Sequence, residues 1–163
     1  MDTSDIILTT LVNEFSDLTD VEQATRVSLR LLLAAILGGL LGYERETHGK
    51  AAGVRTHMLV CTGAALFVLG SELVGAGDDA MSRVVQGIVA GIGFLGVGTI
   101  IKGDNMSSVK GLTTAAGVWM TAAVGVCVGL GLEATAVFAT LLMLFILNVL
   151  PHFLERTDRK RDR

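Results

Sequence analysis

Apolar residues run along this chain in long uninterrupted blocks, and polar residues are pushed to the block ends. No charged residue occurs from Leu31 to Tyr43, from Met58 to Ser71 or from Val84 to Ile101. Such blocks must bury themselves in lipid or in each other. A hydrocarbon core of about 30 Å is crossed by roughly 20 helical residues. The pattern therefore predicts five spans, approximately Val27 to Tyr43, Met58 to Ala76, Val84 to Ile101, Leu112 to Leu130 and Glu133 to Leu150. The expected fold class is all-α, a polytopic membrane bundle of about five transmembrane helices.

Ahead of the spans, Ile7, Leu8, Leu11, Phe15 and Leu18 recur at helical spacing beside Asp5, Glu14 and Asp17. This predicts an amphipathic helix lying on the membrane surface or against the bundle. The segment has neither the basic start nor the small-residue cleavage site of a signal peptide. Thr19 and Glu22 form a T-x-x-E capping box expected to start the first span. The division is thus 1–23 as an extracytoplasmic amphipathic segment, 24–150 as the membrane domain and 151–163 as a basic cytoplasmic tail.

Composition agrees: 51% of the 163 residues are hydrophobic and the mean hydropathy is +0.61, too apolar for an ordinary soluble domain. The formal net charge of −3 hides a dipole. Arg45, Lys50, Arg55, Lys102, Lys110 and the Arg/Lys-rich tail fall on one side of the predicted spans, whereas Arg26, Arg30 and Arg83 fall on the other with Asp2, Asp5, Glu14, Asp17, Asp20 and Glu22. The Lys/Arg asymmetry predicts a cytoplasmic C-terminus and an external N-terminus in a cell (inner) membrane. Cys61 and Cys127, counted from their span ends, are expected to differ in depth by roughly 15 to 20 Å, too far for a disulfide.

The stretch GIVAGIGFLGVGTII contains G-x-G-x-x-G at Gly91, Gly93 and Gly96. A dinucleotide loop needs a strand, a turn and then a helix, with an acidic residue about 20 positions on. None of that context is here. Instead, Gly38/Gly42, Gly87/Gly91 and Gly125/Gly129 are G-x-x-x-G pairs within predicted spans, flat strips that let another helix approach closely. Gly93, Gly96 and Gly98 add a second small face to the third span, which is expected to be central, as a packing helix within the chain or across a homodimer or higher homo-oligomer. The competing reading is a glycine-broken helix lining a cavity.

GGLLGYERETHGKAAGVRTHMLVCTGAAL and GIVAGIGFLGVGTIIKGDNMSSVKGLTTAAGVWMTAAVGVCVGLG, with the LRLLLA that precedes them, resemble the MgtC/SapB family of inner-membrane proteins. The resemblance covers roughly residues 27 to 150. Its motif positions are Glu44, Arg45, Gly53, Arg55, Thr56 and His57; Gly91, Gly93, Phe94, Leu95 and Gly96; and Gly111, Leu112, Thr113, Thr114 and Trp119. It implies a five-span domain linked to magnesium limitation and, in pathogens, to survival inside host cells. Many members add a soluble C-terminal domain; with a tail ending at Arg163, the membrane domain alone is expected here.

Two polar groups stand out. Glu44, Arg45, Glu46, Arg55, Thr56, His57, Lys102, Asp104, Lys110, Thr113, Thr114, Trp119 and Asn148 share the basic side. They would anchor the loops through internal ion pairs, bind a cytoplasmic ligand or partner, or offer Glu44, Glu46 and Asp104 to a weakly held magnesium ion. Arg45, Arg55, Lys102 and Lys110 oppose the last of these. On the other side Arg30 and Glu72 fall at matching depth and are expected to pair, with Gln86 completing the network; the alternative is an Arg30 that reaches the headgroups alone.

No nucleophile–base or zinc-ligand pattern occurs, and GDNMSSVKGLTT is not a phosphate loop. The expectation is a non-enzyme without a required cofactor or nucleic-acid partner, whose surroundings are the lipid bilayer, its own copies and a membrane protein complex. Function is read as regulation of ion or energy homeostasis through helix packing, with direct transport of magnesium or another ion as the alternative.

Overall fold

The computed structural model describes residues 2–16, 20–102 and 109–161. Its helices are α1 (Thr3–Glu14), α2 (Val21–Thr47), α3 (Val54–Leu73), α4 (Asp78–Gly98), α5 (Leu112–Gly129) and α6 (Glu133–Arg161). A two-residue hairpin, β1 (Ile101–Lys102) with β2 (Val109–Lys110), joins α4 to α5. Helices α2 to α5 are each long and apolar enough to cross a membrane, and α6 contributes a shorter apolar stretch, Glu133–Val149. The molecule is an all-helical, multi-pass membrane bundle.

α1 begins at Asp2, which with Asp5 forms a capping box. None of its residues is buried, so Ile7, Leu8, Leu11 and Phe15 present their apolar face outward. α2 is capped by Asp20, whose carboxylate accepts the Glu22 N–H at 3.1 Å. The expected box used Thr19, which lies outside the described residues. Asp20 takes over because it directly precedes the first helical residue and its side chain reaches an otherwise free amide.

The expected centre of the bundle moves. α5, not the third span α4, touches α2, α3, α4 and α6, and just over half of its apolar window is buried against 6% for α4. Small side chains explain it: Gly117, Ala122, Gly125 and Gly129 of α5 admit neighbours on several faces. One core joins Ala34, Leu37 and Leu41 of α2 with Cys61, Ala65, Val124, Val128, Ala136 and Met143. A second places Ala64 and Val68 against Ala122 and Val126, with Ile88 and Ile92 of α4 packed on its side.

Two of the three glycine pairs are consumed inside the chain, both by α3. A Cβ at Gly38 would stand 2.6 Å from the His57 carbonyl oxygen, and one at Gly42 2.5 Å from the Val54 Cα. On α5, a Cβ at Gly125 would collide with the Cys61 carbonyl, and one at Gly129 would stand 2.7 Å from Val68 Cβ. The cysteine depths are corrected by the same contact: Cys61 faces Gly125, only about 3 Å of helix rise from Cys127. Counting from span ends failed because α3 and α5 are offset along their axes. Both thiols are free.

α4 is different. It runs through Gly91, Gly93 and Gly96 as unbroken helix, and a Cβ at Gly87, Gly91 or Gly93 would meet nothing within 4 Å. Gly96 alone of its residues is buried, against Ala115 of α5. The glycines that made this helix look central leave space beside it. Gly87 and Gly91 line an apolar groove of about 650 Å³ between α4 and α3, faced by Leu59, Gly63 and Phe67.

Candidate functional site

The last turns of α2 deliver most of the polar groups at the basic end. Glu44 and Arg45 are 7% and 3% exposed. Arg45 donates from Nε and Nη2 to the two carboxylate oxygens of Glu44. His48 closes the group, with Nδ1 3.2 Å from Glu44 Oε1 and 2.8 Å from the Glu44 backbone oxygen. Two charges removed from water this way are tolerated because each neutralises the other through directed hydrogen bonds.

Glu46 turns elsewhere. Its Oε2 accepts the Val54 N–H at 2.8 Å, satisfying a free amide in the first turn of α3. Gly53 leaves room for this, since a Cβ there would stand 2.5 Å from Oε2. Of the carboxylates considered for magnesium, Glu44 and Glu46 therefore serve separate partners, and Asp104 lies outside the described residues. Among the described residues no group of three or more His, Cys, Asp or Glu converges.

The expected single cluster divides further. His57 is fully buried inside the bundle, and Thr114 is buried on α5. Thr56 is half-buried, whereas Arg55, Lys110, Thr113 and Trp119 are exposed; the Lys102 side chain is outside the described set. Asn148 donates from Nδ2 to the Leu144 carbonyl at 3.0 Å. Shared depth in the sequence is not shared direction, because successive helical residues point about 100° apart.

At the acidic end Arg30 gathers three helices around α2. Its Nη1 lies 2.7 Å from Glu72 Oε2 of α3 and 3.0 Å from the Gly129 carbonyl, while Nε lies 3.4 Å from Glu133 Oε1 of α6. The Gly129 carbonyl belongs to the last turn of α5, where intrahelical donors run out and a cation is favoured. Gln86 does not join: it is exposed, and its Nε2 bonds Ser82 Oγ at 3.3 Å. α4 packs on α5 and α3, and Gln86 turns to Ser82 on its own helix.

Sequence reasoning missed Glu133, the Gly129 carbonyl and His48. Glu133 was legible as a carboxylate at the first turn of the last span, on the Arg30 side. The backbone carbonyl carried no sequence signal.

The model of the MgtC family matches residues 31–156, which is most of the chain. The chain belongs to the MgtC family. As a member it is 50% identical over 114 residues to MgtC of Brucella abortus, covering 69% of this chain and 46% of that protein. It is 42% identical over 134 residues to SrpB of Synechococcus elongatus, covering 75% and 73%. It is also 40% identical over 129 residues to the "Putative magnesium transporter YhiD" of Escherichia coli, covering 74% and 59%. This MgtC-family chain spans about half the length of the MgtC relative it matches. No solved structure matches it.

Proposed function

We propose that the chain is a non-enzymatic regulator of membrane ion or energy homeostasis under magnesium limitation, acting through helix packing with itself and a membrane partner. The observation that carries this reading is the open small-residue face of α4. Gly38/Gly42 and Gly125/Gly129 each seat the α3 backbone, whereas a Cβ at Gly87 or Gly91 would meet nothing within 4 Å among the described residues. In lipid, such a strip gains contacts only when another helix comes close. The basic end is read as cytoplasmic and the membrane as the inner one, on the Lys/Arg asymmetry.

Cysteine cross-linking tests the packing face. With Cys61 and Cys127 replaced by alanine, Gly87→Cys or Gly91→Cys should cross-link to a second copy or another membrane protein in native membranes, and an exposed control, Leu32→Cys on α2, should not. Equal, weak cross-linking at all three positions overturns the reading.

The second reading, direct magnesium transport, is favoured by the name of the YhiD relative. Purified chain in liposomes, with external magnesium and an internal dye, separates the two. Protein-dependent flux above empty vesicles supports transport; its absence in vesicles of verified insertion supports the regulator.

A further inference from the structure

His57 is buried in the middle of the helix contacts yet keeps one ring nitrogen without a partner. Its Nδ1 lies 3.0 Å from the Gly53 carbonyl, which also receives the His57 backbone N–H at 3.2 Å. A carbonyl only accepts, so Nδ1 carries the ring proton and Nε2 carries the lone pair. Nε2 is buried and meets no hydrogen-bond donor. It looks across at Gly117 of α5, where an added Cβ would stand 3.8 Å from Nε2 and 3.5 Å from Met143 Cε of α6. An unsatisfied buried acceptor is costly. A phenylalanine would fill the same space without that cost, so packing alone does not account for the imidazole.

We propose that His57 is a proton-binding site whose occupation loosens the contact between α3 and α5. A proton from the aqueous phase forms an N–H bond with the Nε2 lone pair and leaves the ring with one positive charge. That new N–H lies on the Gly117 side of the ring, where no acceptor meets it among the described residues. The charge is accommodated when α5 draws back from α3 enough to admit water, or when the Glu44 carboxylate is drawn from Arg45. Arg45 and Glu44 of α2 are the charged groups that act on the ring. α3 adds Arg55, exposed in its first turn, with Cys61 one turn on and Glu72 at its far end. The sole ionisable side chain of α5 is Cys127, and among residues 133–149 of α6 it is Glu133 at the opposite end. The device faces the end at which the chain is most basic, and it would make helix packing respond to local acidity. Histidine is the side chain whose charge changes in the physiological range.

The test uses the full chain in lipid nanodiscs with isotope-labelled histidine, between about pH 8 and 5. The ring-nitrogen signals are assigned by their loss in His57→Phe. Amide hydrogen exchange is compared between the two proteins at each pH. The expected result is that Nε2 becomes protonated within this window, and that residues 54–61 and the first turns of α5 lose protection in the unaltered chain only. The proposal is overturned if Nε2 stays unprotonated at the acidic end, or if His57→Phe loses the same protection. Should His57→Phe fail to fold, assignment passes to His48→Gln and His152→Gln, and protonation with loss of protection in the unaltered chain decides.

Discussion

The Arg30 guanidinium lies against Gly131, in the space that a side chain on Gly131 would occupy. Gly131 also turns the chain out of α5 with a φ of +76°, its N–H bonding the Val128 carbonyl while Leu132 bonds that of Cys127. One residue thus ends a helix with a left-handed cap and clears the seat of the arginine that ties α2 to α3, α5 and α6. Gly131→Ala should meet both constraints at once. The backbone strain alone costs about 1–3 kcal/mol, and displacement of Arg30 adds to it. Unfolding in detergent should show a larger loss than Gly75→Ala, where φ is +72° but a Cβ would meet nothing within 4 Å.

Arg30 and Glu72 are unequal partners, and substitutions should reveal it. Arg30 is 11% exposed in its side chain, donates to Glu72 and to the Gly129 carbonyl, and lies 3.4 Å from the Glu133 carboxylate; Glu72 is 44% exposed and accepts from Arg30. Arg30→Met should destabilise by about 2–4 kcal/mol, as hydrogen bonds to a charged group are lost and Glu133 loses its partner. Glu72→Gln should cost no more than about 1 kcal/mol, since solvent screens its side of the pair. Exchanging both charges should recover little, because Glu133 and the Gly129 carbonyl would then face a carboxylate. Full recovery in the double exchange would show that Arg30 and Glu72 act alone.

Segregated apolar blocks made the bundle legible, since span number, approximate boundaries and helical class depend only on hydropathy and length. The pairing of Arg30 with Glu72 followed from depth along antiparallel neighbours. What stayed hidden is rotation about each helix axis. Gly87/Gly91 and Gly125/Gly129 are identical as sequence motifs, yet one faces open space and the other the α3 backbone. Glu44 and Glu46 similarly part company, one to Arg45 and the other to the Val54 amide. By sequence His57 belongs with the polar group of the basic side, but the α3 packing on α2 and α5 carries it inside.

That difference between the glycine pairs is measurable. Gly125→Ala would drive its methyl into the Cys61 carbonyl, and overpacking of a tight contact costs about 1–3 kcal/mol. Gly91→Ala meets no atom, so within a single copy it should gain about 0.5–1 kcal/mol from reduced backbone freedom. Thermal unfolding of purified chains should rank them in that order. Gly91→Leu should likewise leave the monomer folded while weakening any association through this face; loss of the fold would mean that α4 packs more tightly on α3 than its open glycines indicate.

Glu46 should behave as a helix cap. Removing its carboxylate in Glu46→Ala frees the Val54 amide and unties the end of α2 from the start of α3. Side-chain caps of this kind contribute about 0.5–2 kcal/mol, and Glu46→Gln, which retains an acceptor oxygen, should keep most of that. If Glu46 were instead a required ion ligand, Gln would be as damaging as Ala, and magnesium would raise the unfolding temperature of the unaltered chain but not of either variant.

The buried pair at the end of α2 gives the sharpest contrast between single and double substitution. Arg45→Met would leave Glu44, 7% exposed, with His48 as its one charge partner among the described residues. Breaking a buried pair from one side costs about 3–5 kcal/mol, whereas replacing both partners with neutral groups of similar volume is often close to neutral. Glu44→Gln with Arg45→Met should therefore be more stable than Arg45→Met alone, an order opposite to simple accumulation of damage. Denaturant titration in detergent reads the difference directly. If the double variant is the less stable of the two, the charges hold the α2–α3 turn through contacts other than their mutual neutralisation.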